Sequence, residues 1–223
     1  MSNLVIAIVG NKGGIGKTTL SYNLLYLLIK EEISAVLIDC DNDQYSSGDF
    51  ANDRKEAGII PYLPVLNLPT EELEKQLPQL AKKYQVILIE FGKSNDDHKE
   101  KFRNAALELA IKVADKIIMP LQPTAPDVKT VPKVEAKLPL AAKNVPALIV
   151  PNRVKKENQL QVIHGIAPQL KYFKISKSFL GDRLCYQDSL GFDGRSIFEM
   201  KGAQAKKAQL EFTQLFKEIF HDN

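Results

Sequence analysis

The stretch from Ile6 to Thr19, I-A-I-V-G-N-K-G-G-I-G-K-T-T, constrains this chain more than any other. An apolar run at Leu4 to Val9 leads into closely spaced glycines, and Leu20, Leu24, Leu27 and Leu28 then recur at helical spacing. The pattern predicts a buried strand, a tight loop and a helix in immediate succession. Gly13, Gly14 and Gly16 lack Cβ atoms, so backbone N–H groups from Gly13 through Ile15 to Thr19 can turn inward around an anion. The helix N-terminus adds partial positive charge. Lys17 is placed to neutralise β- and γ-phosphates, and the Thr18 hydroxyl to coordinate a bridging Mg²⁺. A dinucleotide fingerprint fails, because Gly14-x-Gly16 is followed by Leu20 where a third glycine is required.

The strict pattern G-x-x-x-x-G-K-[ST] fails as well, since its first position is Asn11. What stands here is K-G-G-x-G-K-T, with a second lysine, Lys12. This resembles the deviant Walker A loop of the ParA/MinD family of ATPases. The resemblance implies ATP and Mg²⁺ as cofactors and a three-layer α/β fold like that of P-loop NTPases, a mostly parallel twisted sheet with helices on both faces. It also implies that Lys12 crosses a homodimer interface to the partner's phosphates, so that ATP binding drives dimerisation.

At 223 residues the chain is long enough for one well-buried α/β domain, and a single domain over 1–223 is expected. No apolar run approaches the roughly 18 residues of a membrane span, and the N-terminus starts in strand-like sequence without a signal peptide. A cytoplasmic protein is expected. Two cysteines, Cys40 and Cys185, are too few for a disulfide framework and lack metal-ligand spacing. The net charge of +3 hides an asymmetry: residues 1–100 carry 10 Lys and Arg against 15 Asp and Glu, the remainder 20 against 12. A basic C-terminal half fits a polyanion-facing surface, although solvated lysines on helix faces produce the same bias.

Ala35 to Ile38 reads as a second strand ending in D-C-D, which puts Asp39 and Asp41 where open α/β sheets bind ligands. In the resembling family the second acid of such a motif orients the attacking water, which makes Asp41 the catalytic candidate beside Lys12 and Lys17. Asn42-Asp43-Gln44 stands where the family has Pro-Gln. Tyr45 to Pro69 reads as a polar surface excursion with one small strand near Val65, and Glu71 to Lys83 as a helix interrupted at Pro78. Gln85 to Glu90 is a third core strand. Glu90 occupies the family's Walker B position, usually Asp, and is expected to hold Mg²⁺ through water. Its side chain is one methylene longer than the family's Asp, so altered or slow hydrolysis is expected, and Gly92 in place of stiff prolines is expected to loosen the second switch.

Asp96 to Val113 reads as a helix and Asp115 to Pro120 as a strand leading into L-Q-P-T-A-P-D; this resembles a segment of the family in which a Gln-Pro precedes a helix, here beginning near Asp127. Val145 to Asn152 is another buried strand. The resemblance assigns Asn152 and Arg153 at its end to the nucleotide base, since an Asn amide offers both donor and acceptor. Tyr172 to Ile175 supplies a last short strand. Gly194, Ser196, Ile197 and Phe198 match a family pattern before a closing helix over Ala203 to Phe220. That helix carries Phe212, Leu215, Phe216, Ile219 and Phe220 on one stripe, as expected for docking onto the core.

Within the family the leading reading is a small partition ATPase for a plasmid or chromosome, nucleoid-associated. Its ATP dimer would bind DNA without sequence preference, and a small centromere-binding ParB-like protein would stimulate hydrolysis. Charge and position nominate Lys155, Lys156, Arg183, Arg195, Lys201, Lys206 and Lys207 as phosphate contacts. With the strand beginning at Leu4, no N-terminal operator-binding domain is expected, nor stable membrane association. The alternatives are a MinD-like membrane-surface positioner, a nucleoid-based cargo positioner and an ATP-dependent metabolic ligase of related fold.

Overall fold

Strands β1 (Leu4–Ile8), β2 (Ala35–Asp39), β4 (Val86–Glu90), β5 (Lys116–Leu121) and β6 (Ala147–Pro151) are almost continuously apolar, as strands buried on both faces of a parallel sheet must be. In the computed structural model, which describes residues 3–10, 12–40, 46–91, 100–140 and 144–221, they are joined by β3 (Val65–Asn67) and β7 (Phe173–Ile175) in one sheet of order β3-β2-β4-β1-β5-β6-β7. Every pairing among these strands is parallel, so the sheet is wholly rather than mostly parallel.

Alternation along the strands divides the core into two layers. Ile6, Ile8, Leu37, Leu88, Ile118 and Val150 face helices α1 (Lys17–Lys30), α8 (Leu184–Gly191) and α9 (Ala203–Phe220). Ala7, Val9, Val36, Ile38, Ile87, Ile89 and Ile117 face the other way, toward α3 (Thr70–Lys83), α4 (Glu100–Val113), α6 (Val131–Glu135) and α7 (Leu160–His164). A short helix, α5 (Ala125–Val128), follows β5. The expected three layers are therefore present. Helix α9 has the predicted bounds, and Phe212, Leu215, Phe216 and Ile219 are buried in the core, with Phe220 at its margin.

Two expectations fail. The stretch read as an irregular excursion contains a three-turn helix, α2 (Ser46–Glu56), whose buried residues are Ser47, Gly48 and Arg54. No apolar stripe announces such a helix. Second, Pro78 does not interrupt α3, which runs through it. Pro78 and Glu74, whose carbonyl is left without its helical donor, both lie on the exposed side of the helix, while Leu73 is buried.

Helix α2 is anchored at its C-terminal end by a fully buried guanidinium. Arg54 Nη1 and Nη2 donate to the two carboxylate oxygens of Glu199 at 2.6 and 2.8 Å, and Nε donates to the Pro61 carbonyl at 2.7 Å. Tyr22 of α1 donates to the Gly194 carbonyl at 2.9 Å, and Asn23 accepts from Ser196 Oγ and Ile197 N, both at 2.8 Å. Gly194 (φ 60°) admits no side chain, since a Cβ there would meet the Phe50 carbonyl oxygen at 1.9 Å. Removing one member of a buried pair leaves an uncompensated charge, so Glu199→Ala is expected to cost about 3–5 kcal/mol. The midpoint of thermal unfolding should fall by roughly 10 °C; a loss below about 1 kcal/mol in denaturant titration would contradict this account.

Candidate nucleotide site

The site forms where β1 hands over to α1. Backbone conformation dictates the sequence there: Gly14 and Gly16 have φ of 72° and 94°, the left-handed region that favours glycine. Gly16 is the N-cap of α1 and supplies no side-chain cap, so the first-turn N–H groups have no side-chain acceptor at that position. Ile15 is buried, Gly13 and Gly14 are exposed, and Lys17 is only 6 % exposed at the head of α1. This is a backbone cradle for an anion with a lysine at its base.

Carboxylates gather at the same level. The register pairs Ile8 with Glu90 and Asp39 with Glu90, so three strand ends are aligned. Glu90 is buried, and hydroxyl donors surround it: Thr18 Oγ1 reaches Oε1 at 2.5 Å, while Ser21 Oγ and Ser47 Oγ reach Oε2 at 2.8 and 3.0 Å. The backbone N–H of Ser47 donates to Asp39 Oδ2 at 3.0 Å. A threonine hydroxyl that gives its proton to Glu90 keeps its lone pairs for a cation, and two buried acids beside an anion cradle suit a divalent one.

Lys12 lies on the rim, 44 % exposed, with Nζ 2.8 Å from Asp127 Oδ1. Asp127 sits in the first turn of α5, where it also receives the Thr124 hydroxyl. Gln122 Nε2 donates to the Gly14 carbonyl at 3.1 Å, so the Q-P-T-A-P-D segment grips the loop twice. On the far side, Asn152 Nδ2 donates to the Ile15 carbonyl at 2.6 Å and its Oδ1 accepts from Arg153 N at 2.9 Å. Both ends of the amide are engaged with the chain, so in this structure Asn152 holds the loop. With Gly16, Thr19, Arg153, Asp182 and Tyr186 it lines a cleft beside the cradle.

Of the residues the sequence nominates, Lys12, Gly13 to Thr19, Glu90, Asn152 and Arg153 are thus brought to one edge of the sheet, while Asp41 lies outside the described residues. Sequence reasoning misses Gln122, Asp127, Ser21 and Ser47 as parts of the site. The one sign in the sequence is an acid at the first turn of a helix after a Gln-Pro pair, a pattern that by itself marks only a helix entry. Among the nominated cations, Lys156, Lys201, Lys206 and Lys207 are exposed. Lys155 stands 3.7 Å from Asp182 and Arg195 3.7 Å from Asp193. The Arg183 guanidinium is bound to Glu211 and to Gln204, across the α8–α9 junction. Among the described residues no cluster of His, Cys, Asp and Glu is arranged as a ready-made metal site, and no helix is long and apolar enough to cross a membrane.

Residues 6–192 match the family model of the CobQ/CobB/MinD/ParA nucleotide binding domain. No curated protein matches the chain by sequence. Solved structures resemble it in fold. A protein of Borrelia burgdorferi named for plasmid partition and bound to AMPPNP is 18 % identical, with a TM-score of 0.69 over 97 % of this chain and 99 % of that one. The MinC:MinD cell division protein complex of Aquifex aeolicus gives 19 % and 0.71 over 99 % and 97 %. The septum site-determining protein MinD of Pyrococcus horikoshii, complexed with Mg-ADP, gives 18 % and 0.67 over 98 % and 96 %.

Two outcomes follow from this geometry. Gly16→Ala meets both a left-handed φ and the Asn152 amide, 2.1 Å from the new Cβ, whereas Gly14→Ala meets open space and carries only the backbone strain of about 1–2 kcal/mol. In thermal unfolding Gly16→Ala should be the more damaging; equal losses would refute the contact. Burial, and then the charges of Asp39, Glu71 and Glu90, push the Cys40 thiol up to about 12. It is therefore neutral at pH 8 and should resist iodoacetamide until the chain unfolds, as mass spectrometry of the labelled protein can check.

Proposed function

Because the chain belongs to the CobQ/CobB/MinD/ParA nucleotide binding domain family, we propose that it is an ATPase that dimerises on ATP and serves plasmid or chromosome partition. The reaction is ATP + H₂O to ADP and phosphate. The observation that carries this reading is the cradle itself: two left-handed glycines and a buried Lys17 open an uncapped helix, with Thr18 tied to Glu90. The triphosphate tail lies along Gly13 to Thr19, and its base lies in the cleft beside Asn152 and Arg153. Thr18, with Glu90 behind it, would hold Mg²⁺, which would neutralise phosphate charge. Lys17, and Lys12 from the partner subunit, stabilise the charge that develops in the transition state, and Asp41 orients the attacking water.

Partition is favoured over the other roles of such a fold by two features. Exposed lysines on and near α9, Lys201, Lys206 and Lys207, continue the basic C-terminal half and suit non-specific DNA. The apolar stripe of α9 is buried in the core, which leaves it unavailable as a membrane anchor. A small centromere-binding ParB-like protein then stimulates hydrolysis and releases the dimer from the nucleoid.

Light scattering tests the dimer: AMPPNP with Mg²⁺ should double the mass of the wild type and leave Lys12→Ala and Lys17→Ala monomeric. DNA retention should require ATP and fall with salt, with a logarithmic slope near −0.9 per neutralised phosphate on duplex DNA. Retention by anionic liposomes in place of DNA would favour a membrane positioner. Phosphate release that depends on a small metabolite would favour a ligase. A wild type that stays monomeric with saturating AMPPNP sinks the dimer scheme.

A further inference from the structure

Asp39 and Glu90 stand side by side on adjacent parallel strands, in register, with 1 % and 3 % of their surface exposed. Two buried acids at that spacing repel each other unless donors are aimed at them. One residue addresses both: Ser47 gives its backbone N–H to Asp39 Oδ2 and its hydroxyl to Glu90 Oε2, each at 3.0 Å, and is itself fully buried.

Glu90 needs this more than an aspartate would. Its extra methylene adds a rotatable bond, so the direction of the carboxylate must be fixed by partners. Oε1 receives Thr18, and Oε2 receives Ser21 and Ser47. Thr18 and Ser21 both belong to α1, and Ser21 is also within reach of the Thr18 carbonyl at 3.2 Å. Among the described residues Ser47 is the one hydroxyl from another element that holds Glu90. Its own position is fixed because α2 is pinned at the other end by the buried Arg54–Glu199 pair.

We propose that Ser47 is a positioning residue that sets the Glu90 carboxylate, together with Asp39, for a divalent cation at Thr18. The inference rests on the nucleotide and Mg²⁺ reading above and adds a role for α2 in it. Without the Ser47 hydroxyl, Glu90 is held from α1 alone, by Thr18 and Ser21, so the carboxylate that accepts the Thr18 proton is fixed less firmly and so are the lone pairs meant for the cation. Outer-shell partners of this kind typically change metal affinity by roughly ten- to a hundredfold.

The test titrates MgCl₂ into the 223-residue chain with a fluorescent N-methylanthraniloyl derivative of AMPPNP and reads analogue fluorescence, with unfolding midpoints in EDTA as the structural control. Ser47→Ala should need roughly ten- to a hundredfold more MgCl₂ for half-saturation. Its analogue affinity in EDTA should match that of the wild type. Ser47→Cys, nearly isosteric but a weak donor, should give the same shift and serves where alanine fails to fold. A half-saturation within about twofold of wild type in the folded variant, even with a lowered unfolding midpoint, overturns the positioning role while leaving the metal reading intact. A wild type whose analogue binding ignores MgCl₂ overturns the metal reading and this inference with it.

Discussion

The parallel register that ends β1, β2 and β4 at one level is the constraint from which the site follows. Strands this apolar must be covered on both faces, so charge is admitted only where they stop. Glu90 and Asp39 occupy those stops and α1 starts just beyond Ile8, so an anion cradle and a pair of acids share one edge. Buried carboxylates there survive only with donors aimed at them. The serines and threonine around Glu90 are the local consequence of the sheet's topology.

The same requirement accounts for α2. A helix that buries Ser47, Gly48 and Arg54 gains little from the hydrophobic effect, and a buried ion pair is a weak source of net stability. What it supplies is a single placement. Arg54 reaches Glu199, Gly194 and Pro61 at once, and Gly194 admits no side chain against Phe50. One end of α2 is thereby joined to the segment leading into α9, and the other to the acids at the strand ends. The polar helix adds a second link between the cradle and the C-terminal layer, beside the apolar core that α1 shares with α8 and α9.

Legibility followed the physics of each element. Strands β1, β2, β4, β5 and β6 were readable because burial on both faces demands continuous apolar runs, and α9 because one face is buried and the other solvated. Helix α2 was not, since S-S-G-D-F-A-N-D-R-K-E carries its anchors as hydrogen bonds and an ion pair, which leave no period. The cradle residues Gly13 to Thr18 were legible because left-handed turns and anion binding restrict the residue type at each position. Their partners were not. Asp127, Gln122 and Ser47 reach the site from other elements, and only the fold decides which distant polar residue arrives. Asn152 shows the limit at one residue: the sequence placed it at the correct strand end, yet its amide is engaged with Ile15 and Arg153.

The Lys12–Asp127 pair illustrates how strength and exposure set what a contact can do. Asp127 is nearly buried and held by the turn at Thr124, so it is a fixed anchor, whereas Lys12 is 44 % exposed on a flexible stem. A pair with one partner so open to water is screened, and contacts of this kind are worth about 0–1 kcal/mol. That is enough to bias the direction of a lysine and too little to hold it against a triphosphate, whose charge is several times that of one carboxylate. Had Asp127 and Lys12 both been buried, the ammonium would be trapped and the rim closed. With the anchor inside and the lysine outside, the ion pair orients Lys12 along the loop and leaves it exchangeable, as a residue proposed to reach a second subunit must be.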